Sequence, residues 1–162
     1  MSTVYLSLGG NQGDVCHHID SAIQKINNKV GHVVSVSSYY ETEPWGFEAE
    51  TNFVNCVLKV STSLSAKEVL KEVLEIEALL GRKRIGKGYA SRPMDIDLID
   101  FDGMIMEDID LILPHPRMHQ RNFVLMPLKD VAPYWVHPKL NKGMDELIRE
   151  CVDEGEIKKM RR

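Results

Sequence analysis

The residues Arg92-Pro93-Met94-Asp95-Ile96-Asp97-Leu98-Ile99-Asp100-Phe101 restrict this chain more than any others, because they set two carboxylates, one residue apart, inside an apolar run. At the strand period Met94, Ile96 and Leu98 fall on one face and Asp95, Asp97 and Ile99 on the other, with the two aspartate Cα atoms about 6 to 7 Å apart. A strand of this kind belongs in a sheet that buries one face and keeps the acids of the other at a polar cleft or in solvent. Two neighbouring like charges favour a cation between them. Oxygen ligands on a rigid element suit Mg²⁺, which is commonly held by one or two carboxylates and completes its shell with phosphates and water. An edge strand with a solvated polar face is the alternative.

At 162 residues the chain has the length of one domain, 1–162, able to bury a core without staples. A formal net charge of -4 gives no general attraction to nucleic acid or to an anionic membrane, so any anion site must be local. Cys16, Cys56 and Cys151 are odd in number and include no Cys-x-x-Cys, which argues against a disulfide framework or structural zinc. No apolar stretch approaches the roughly 18 residues of a membrane span, and the N-terminus opens on a strand pattern instead of a leader. A cytoplasmic protein is expected.

Val4, Leu6 and Leu8 alternate before Gly9-Gly10-Asn11-Gln12-Gly13, so a strand ends in a tight turn that lacks the Gly-Lys-Ser/Thr of a phosphate loop. Asp14 caps a helix whose buried face is Val15, Ile19, Ala22, Ile23 and Ile26. Two strands are predicted from Val33 to Tyr40 and from Phe53 to Val60, joined by a long loop. In the second, Val54, Cys56, Leu58 and Val60 share the apolar face and leave Phe53 and Asn55 together on the opposite one. A ring beside an amide suits a flat heterocycle, or is an ordinary sheet pair. Ser65 to Glu68 is a capping box for a helix with Val69, Leu70, Val73, Leu74, Ile76 and Leu80 on its expected buried stripe. The loop from Arg82 to Arg92 then carries five cations in eleven residues beside the acidic strand. Cations next to Mg²⁺ ligands are what a polyphosphate requires, although a solvated charge run has the same composition.

Asp102-Gly103 is predicted to close a hairpin with Met104 to Met106. A proline-punctuated stretch runs from Leu113 to Phe123, a strand-like piece covers Tyr134 to His137, Asn141 opens a last amphipathic helix through Val152, and residues 158–162 form a frayed tail. This order gives an α+β fold with a ferredoxin-like core, its helices covering one face of a largely antiparallel sheet.

The segments Ser7-Leu8-Gly9-Gly10-Asn11-Gln12-Gly13-Asp14, Phe53-Val54-Asn55, Glu77 with Gly81-Arg82, Arg92 to Leu98, and Pro114-His115-Pro116 followed by Arg121-Asn122-Phe123-Val124-Leu125 come in an order and spacing that resembles the 6-hydroxymethyl-7,8-dihydropterin pyrophosphokinase family. These folate-pathway enzymes transfer pyrophosphate from ATP to a pterin alcohol. The resemblance covers nearly the whole chain. It implies that Asp95 and Asp97 bind two Mg²⁺ ions bridging the phosphates of the co-substrate ATP. It places Arg82, Arg84, Arg92, His115 and Arg121 at the nucleotide with Leu70 and Leu98, and gives Arg82 and Arg92 a catalytic role as well. The pterin would stack between Phe53 and Phe123, with Asn55 at its edge and Thr42, Glu43, Trp45 and Gly46 completing its recognition. The loop from Arg82 to Arg92 would be mobile without ligand and close over both substrates. Tyr89 and Ser91 stand where the family commonly has tryptophan and proline, and Pro116 where an aromatic is more usual. The partners expected are ATP and the pterin, with no nucleic acid and no membrane, for a monomer.

Two other classes fit parts of this pattern. A ferredoxin-like nucleotide-binding module without catalysis accounts for the basic loop but not for aspartates facing arginines. A two-metal nuclease accounts for the aspartates but calls for a broad basic surface.

Overall fold

The computed structural model describes residues 1–42, 52–81, 94–153 and 155–161. In chain order the elements are β1 (Ser2–Gly10), α1 (Val15–Lys29), β2 (His32–Val36), β3 (Tyr40–Thr42), β4 (Phe53–Thr62), α2 (Ala66–Leu79), β5 (Asp95–Phe101), β6 (Met106–Glu107), β7 (Ile112–Leu113), α3 (Asn122–Val131), α4 (Met144–Glu150) and β8 (Ile157–Lys159), with a 3₁₀ turn at Met118–Gln120. The main sheet runs β5-β1-β4-β3-β8, with β2 also on β4, and its pairs are antiparallel. Strand β4 lies between β1 and β2, and β1 between β4 and β5, so each helix crosses over a strand contributed by the other unit. That is the split β-α-β arrangement of a ferredoxin-like core.

Alternation decides which side of the sheet α1 and α2 cover. Val4, Leu6 and Leu8 of β1, Val54 to Val60 at every second position of β4, and Ile96 and Leu98 of β5 pack against Ile19, Ala22 and Ile26 of α1 and Val69, Val73 and Ile76 of α2. Burying each such side chain is worth roughly 1.5 to 3 kcal/mol, which outweighs helix and strand propensity at these positions. Both helices begin where the sequence places their caps. The Asp14 side chain accepts from the His17 N–H, and the Ser65 and Glu68 side chains reciprocally accept from each other's backbone N–H groups.

The other face of the sheet is covered too, which corrects the expectation of helices on one face. Tyr5, Val57 and Ile99 pack under Val124, Leu125, Leu128 and Val131 of α3 and under Met144 and Leu147 of α4. Helix α3 escapes a reading by local signals because Pro127 lies inside it and its own N-cap residue, Arg121, supplies no side-chain cap. Proline is costly in a helix interior, yet here the apolar face it helps to present is buried.

Strand β5 also departs from simple alternation. Leu6 faces Leu98 but Tyr5 faces Asp100, so Ile99 is an extra residue on β5 and Phe101 returns to the first core beside Val4. The segment from Val33 to Tyr40 is two strands. Between them Ser37 donates its N–H to the Val57 carbonyl and accepts the Val57 N–H on its hydroxyl. The Asp102-Gly103 turn forms, both residues having positive φ, but Met106 pairs with Leu113 and not with β5. The outer edge of β5 is already engaged: the Ile96 N–H donates to Glu77 on α2, and the Ile99 carbonyl accepts the His115 N–H.

Near the C-terminus, Val136 makes a single bridge to Gly143 in place of a strand. Asn141 sits at φ 56 and donates its N–H to the His137 carbonyl, so the last helix starts at Met144 and ends at Glu150. The expected frayed tail is largely structured. Strand β8 pairs Ile157 with Thr42 and Lys159 with Tyr40, and the Met160 N–H donates to the Tyr39 carbonyl, which closes an edge that β3 would otherwise expose.

His137 gives the fold a pH dependence. It is 4% exposed, and its Nδ1 accepts from the Lys139 and Leu140 N–H groups. Burial pushes its pKa down to about 4, and the nearby His119 and Lys139 add to the shift. The folded chain therefore holds the neutral ring, and between the lowered value and the ordinary one near 6.5 the unfolded chain binds more protons. This contribution is complete above about pH 6.5 and falls away as pH drops toward 4, by on the order of 3 kcal/mol. Urea unfolding across that window should show the loss in the natural chain and a flatter profile in His137→Asn, whose amide oxygen can still accept. Parallel profiles would rule the assignment out.

Candidate functional site

Strand register assembles the site. On the sheet face away from α1 and α2, Gly9 of β1 pairs with Asp95 of β5 on one side and with Asn55 of β4 on the other, and Asn55 faces Tyr40 of β3. One step along, Ser7 pairs with Asp97 and Val57. Asp95 and Asn55 are thus about 10 Å apart, two strand spacings, across a residue with no side chain. A Cβ at Gly9 would stand 2.2 Å from Asn55 Oδ1, so glycine is what lets the buried amide lie there.

A cavity of about 640 Å³ opens over this row and reaches the start of α3. Asp95, Asp97, Asn55, Phe53, Thr42, Arg121 and Phe123, all singled out in the sequence, line it together. Phe123 stands at the first turn of α3, and the Arg121 guanidinium lies 5.5 Å from its ring centre. The far end of α3 is tied to β3, because Asp130 Oδ2 accepts from the Tyr40 hydroxyl at 2.8 Å and from the Ser38 N–H at 3.2 Å. Burial pushes the Tyr40 phenol well above its ordinary range, and the bond to Asp130 adds to this.

His115 stands beside the cavity. Its Nδ1 accepts the Arg117 N–H at 3.2 Å, which leaves Nε2 to carry the proton of the neutral ring. Burial lowers its pKa, Asp97 opposes that shift, and Arg121 and Arg117 reinforce it. Asp97, the histidine and both arginines therefore share one electrostatic neighbourhood.

Leu98 and Leu70 lie elsewhere. Leu98 is buried in the core under α2, and Leu70 packs against that core from the helix. Arg82, Arg84, Arg92, Glu43, Trp45 and Gly46 lie outside the described residues, as does the whole expectation of a closing loop with Tyr89 and Ser91. Pro116 is exposed.

The sequence reading missed Ser7 and Gly9, although the alternation of β1 places them with Asp95 and Asp97. It also missed Arg117, Gln120, Asp153 and Glu156, which line the same cavity from distant parts of the chain and carry no local signal. Glu77 has a clear structural task. It is 3% exposed and its Oε2 accepts the N–H of Ile96, the residue between the two aspartates, at 2.7 Å.

Among the described residues no group of three or more His, Cys, Asp or Glu side chains is placed to hold a metal. Two carboxylates at an open cavity still fit a hard divalent cation that takes its other ligands from phosphate oxygens and water.

The model of the 7,8-dihydro-6-hydroxymethylpterin-pyrophosphokinase family matches residues 5–133. A 2-amino-4-hydroxy-6-hydroxymethyldihydropteridine pyrophosphokinase of Porphyromonas gingivalis is 42% identical over 142 residues, 86% of this chain and 96% of its own. One from Aquifex aeolicus is 37% identical over 90% of both chains. Among solved structures, the wild-type HPPK-DHPS of Plasmodium falciparum with pteroate aligns at a TM-score of 0.76 and 15% identity, over 92% of this chain and 44% of that longer one. That last likeness establishes the fold. The sequence relatives extend it across the strands that carry Asp95, Asp97 and Asn55, and the chain belongs to the 7,8-dihydro-6-hydroxymethylpterin-pyrophosphokinase family.

Proposed function

We propose that this chain transfers pyrophosphate from ATP to the hydroxymethyl group of 6-hydroxymethyl-7,8-dihydropterin and releases AMP, with two Mg²⁺ ions held by Asp95 and Asp97. The observation that carries this reading is the cross-strand row that sets Asp95 and the buried Asn55 amide in one cavity, about 10 Å apart across Gly9, with Asp97 in the next row. One end of that cavity suits a polyphosphate and the other a flat polar ring.

Phe53 and Phe123 offer aromatic faces for the pterin ring. The Asn55 amide can donate and accept along its edge, and because Asn55 is only 6% exposed, a ring with the wrong pattern would leave buried groups unpaired. Arg121 and Arg117 present guanidinium groups that can pair with phosphate oxygens, and neutral His115 holds an Nε2 proton beside them. The hydroxymethyl oxygen forms a bond to the β-phosphorus and gives up its hydroxyl proton to solvent, while the bond from that phosphorus to the α,β-bridging oxygen breaks and AMP departs with that oxygen. Asp95 and Asp97 hold the cations, which when bound neutralise phosphate charge and favour an in-line approach. What remains for the protein is positioning, and a site built on paired strands is suited to it.

A coupled assay for AMP tests the reading. AMP should form from ATP only when both 6-hydroxymethyl-7,8-dihydropterin and Mg²⁺ are present, and a chelator should stop it. ADP as product, or AMP formed equally without the pterin, would overturn the proposal. Cleavage of nucleic acid in the same buffer would favour the nuclease alternative instead.

A further inference from the structure

The family match ends at residue 133, yet residues well beyond it line the cavity. Helix α3 begins with Arg121 in an extended conformation and has no side-chain cap of its own. Its cap arrives from 31 positions further along the chain: Asp153 Oδ2 accepts the Asn122 N–H at 3.2 Å. The contact is reciprocal, since Asn122 Nδ2 donates to the Asp153 backbone carbonyl at 3.0 Å. The second carboxylate oxygen, Oδ1, accepts the Gly155 N–H at 2.9 Å. One side chain thus ties the start of α3 to the segment that leads into β8, and β8 pairs with β3 next to Thr42. A carboxylate at a helix start is favoured both by the unpaired N–H groups there and by the helix dipole.

From this we infer that Asp153 is a positioning residue for the ring-binding end of the site. Phe123 directly follows Asn122, so the tie to Asp153 fixes where the Phe123 ring stands over the cavity. The same carboxylate fixes the wall formed by Gly155 and Glu156. The aspartate pair on β5 depends on neither contact. Loss of Asp153 therefore acts on the affinity for the flat heterocycle and not on the phosphate end. This inference rests on the proposed reaction.

Titration calorimetry with 6-hydroxymethyl-7,8-dihydropterin and, separately, with MgATP tests it, alongside thermal unfolding of each variant. Asp153→Ala should weaken the pterin about tenfold, the effect of one charge-assisted hydrogen bond, and leave MgATP within about twofold. Asp153→Asn keeps one acceptor oxygen for the Asn122 N–H and should recover most of the pterin affinity. Asn122→Ala removes the reciprocal donor, and the double variant Asn122→Ala/Asp153→Ala should bind no worse than the weaker single one, because the two residues act as a unit. If Asp153→Ala does not fold, Asp153→Asn and Asn122→Ala still decide the matter. Unchanged pterin binding in the single variants, or equal weakening of pterin and MgATP, would overturn the positioning role alone. A natural chain that binds no pterin would overturn the proposed reaction together with this inference.

Discussion

Asp97→Asn and Asp95→Asn will each lower turnover by about a thousandfold or more, roughly 4 kcal/mol of transition-state stabilisation, while the chain stays folded. The substitution keeps the shape of the side chain and removes the charge that holds a cation. Neither position contributes core volume: Asp97 is exposed and Asp95 half-buried, on the face opposite Ile96 and Leu98. Thermal unfolding should therefore move by a few degrees at most. Single-turnover release of AMP at increasing Mg²⁺ is the decisive measurement, because a weakened metal site is partly rescued by excess metal whereas a misfolded one is not. Near-normal magnesium-dependent rates in both variants would sink the assignment.

Asn55→Ala will weaken pterin binding about a hundredfold and leave MgATP binding within about twofold, as expected if two hydrogen bonds to a buried ring edge are lost. The selectivity follows from geometry. Asn55 is on β4 and the aspartates are on β5, separated by the whole width of β1. Equal losses for the two ligands in calorimetry would refute the role given to Asn55.

The parts of this molecule that could be read from sequence are those where the cause is local. Alternation from Asp95 to Ile99 and from Phe53 to Val60 put the right side chains on the right faces, and the capping box at Ser65 and Glu68 placed α2. Where a residue answers to a distant partner, the same reasoning fails. Pro127 argues against a helix until the sheet face that α3 covers is known. The shift at Ile99, which turns Phe101 to the other core, is a property of the pairing with β1 and not of β5 itself. Residues 158–162, which include most of β8, read as a frayed tail, and Asp153 carries no signal at all, because the partners, β3 and Asn122, lie far back in the chain.

The strand that carries neither the aspartates nor the amide sets the distance between them. Because β5 and β4 each hydrogen-bond to β1 and not to one another, β1 acts as a ruler whose divisions are backbone hydrogen bonds. A slip of one residue in either pairing would turn every side chain of the slipped strand to the opposite face and bury it among the wrong neighbours. The span from phosphate end to ring end therefore cannot drift by fractions of an ångström as a loop-borne site could; it is kept, or it is lost with the sheet.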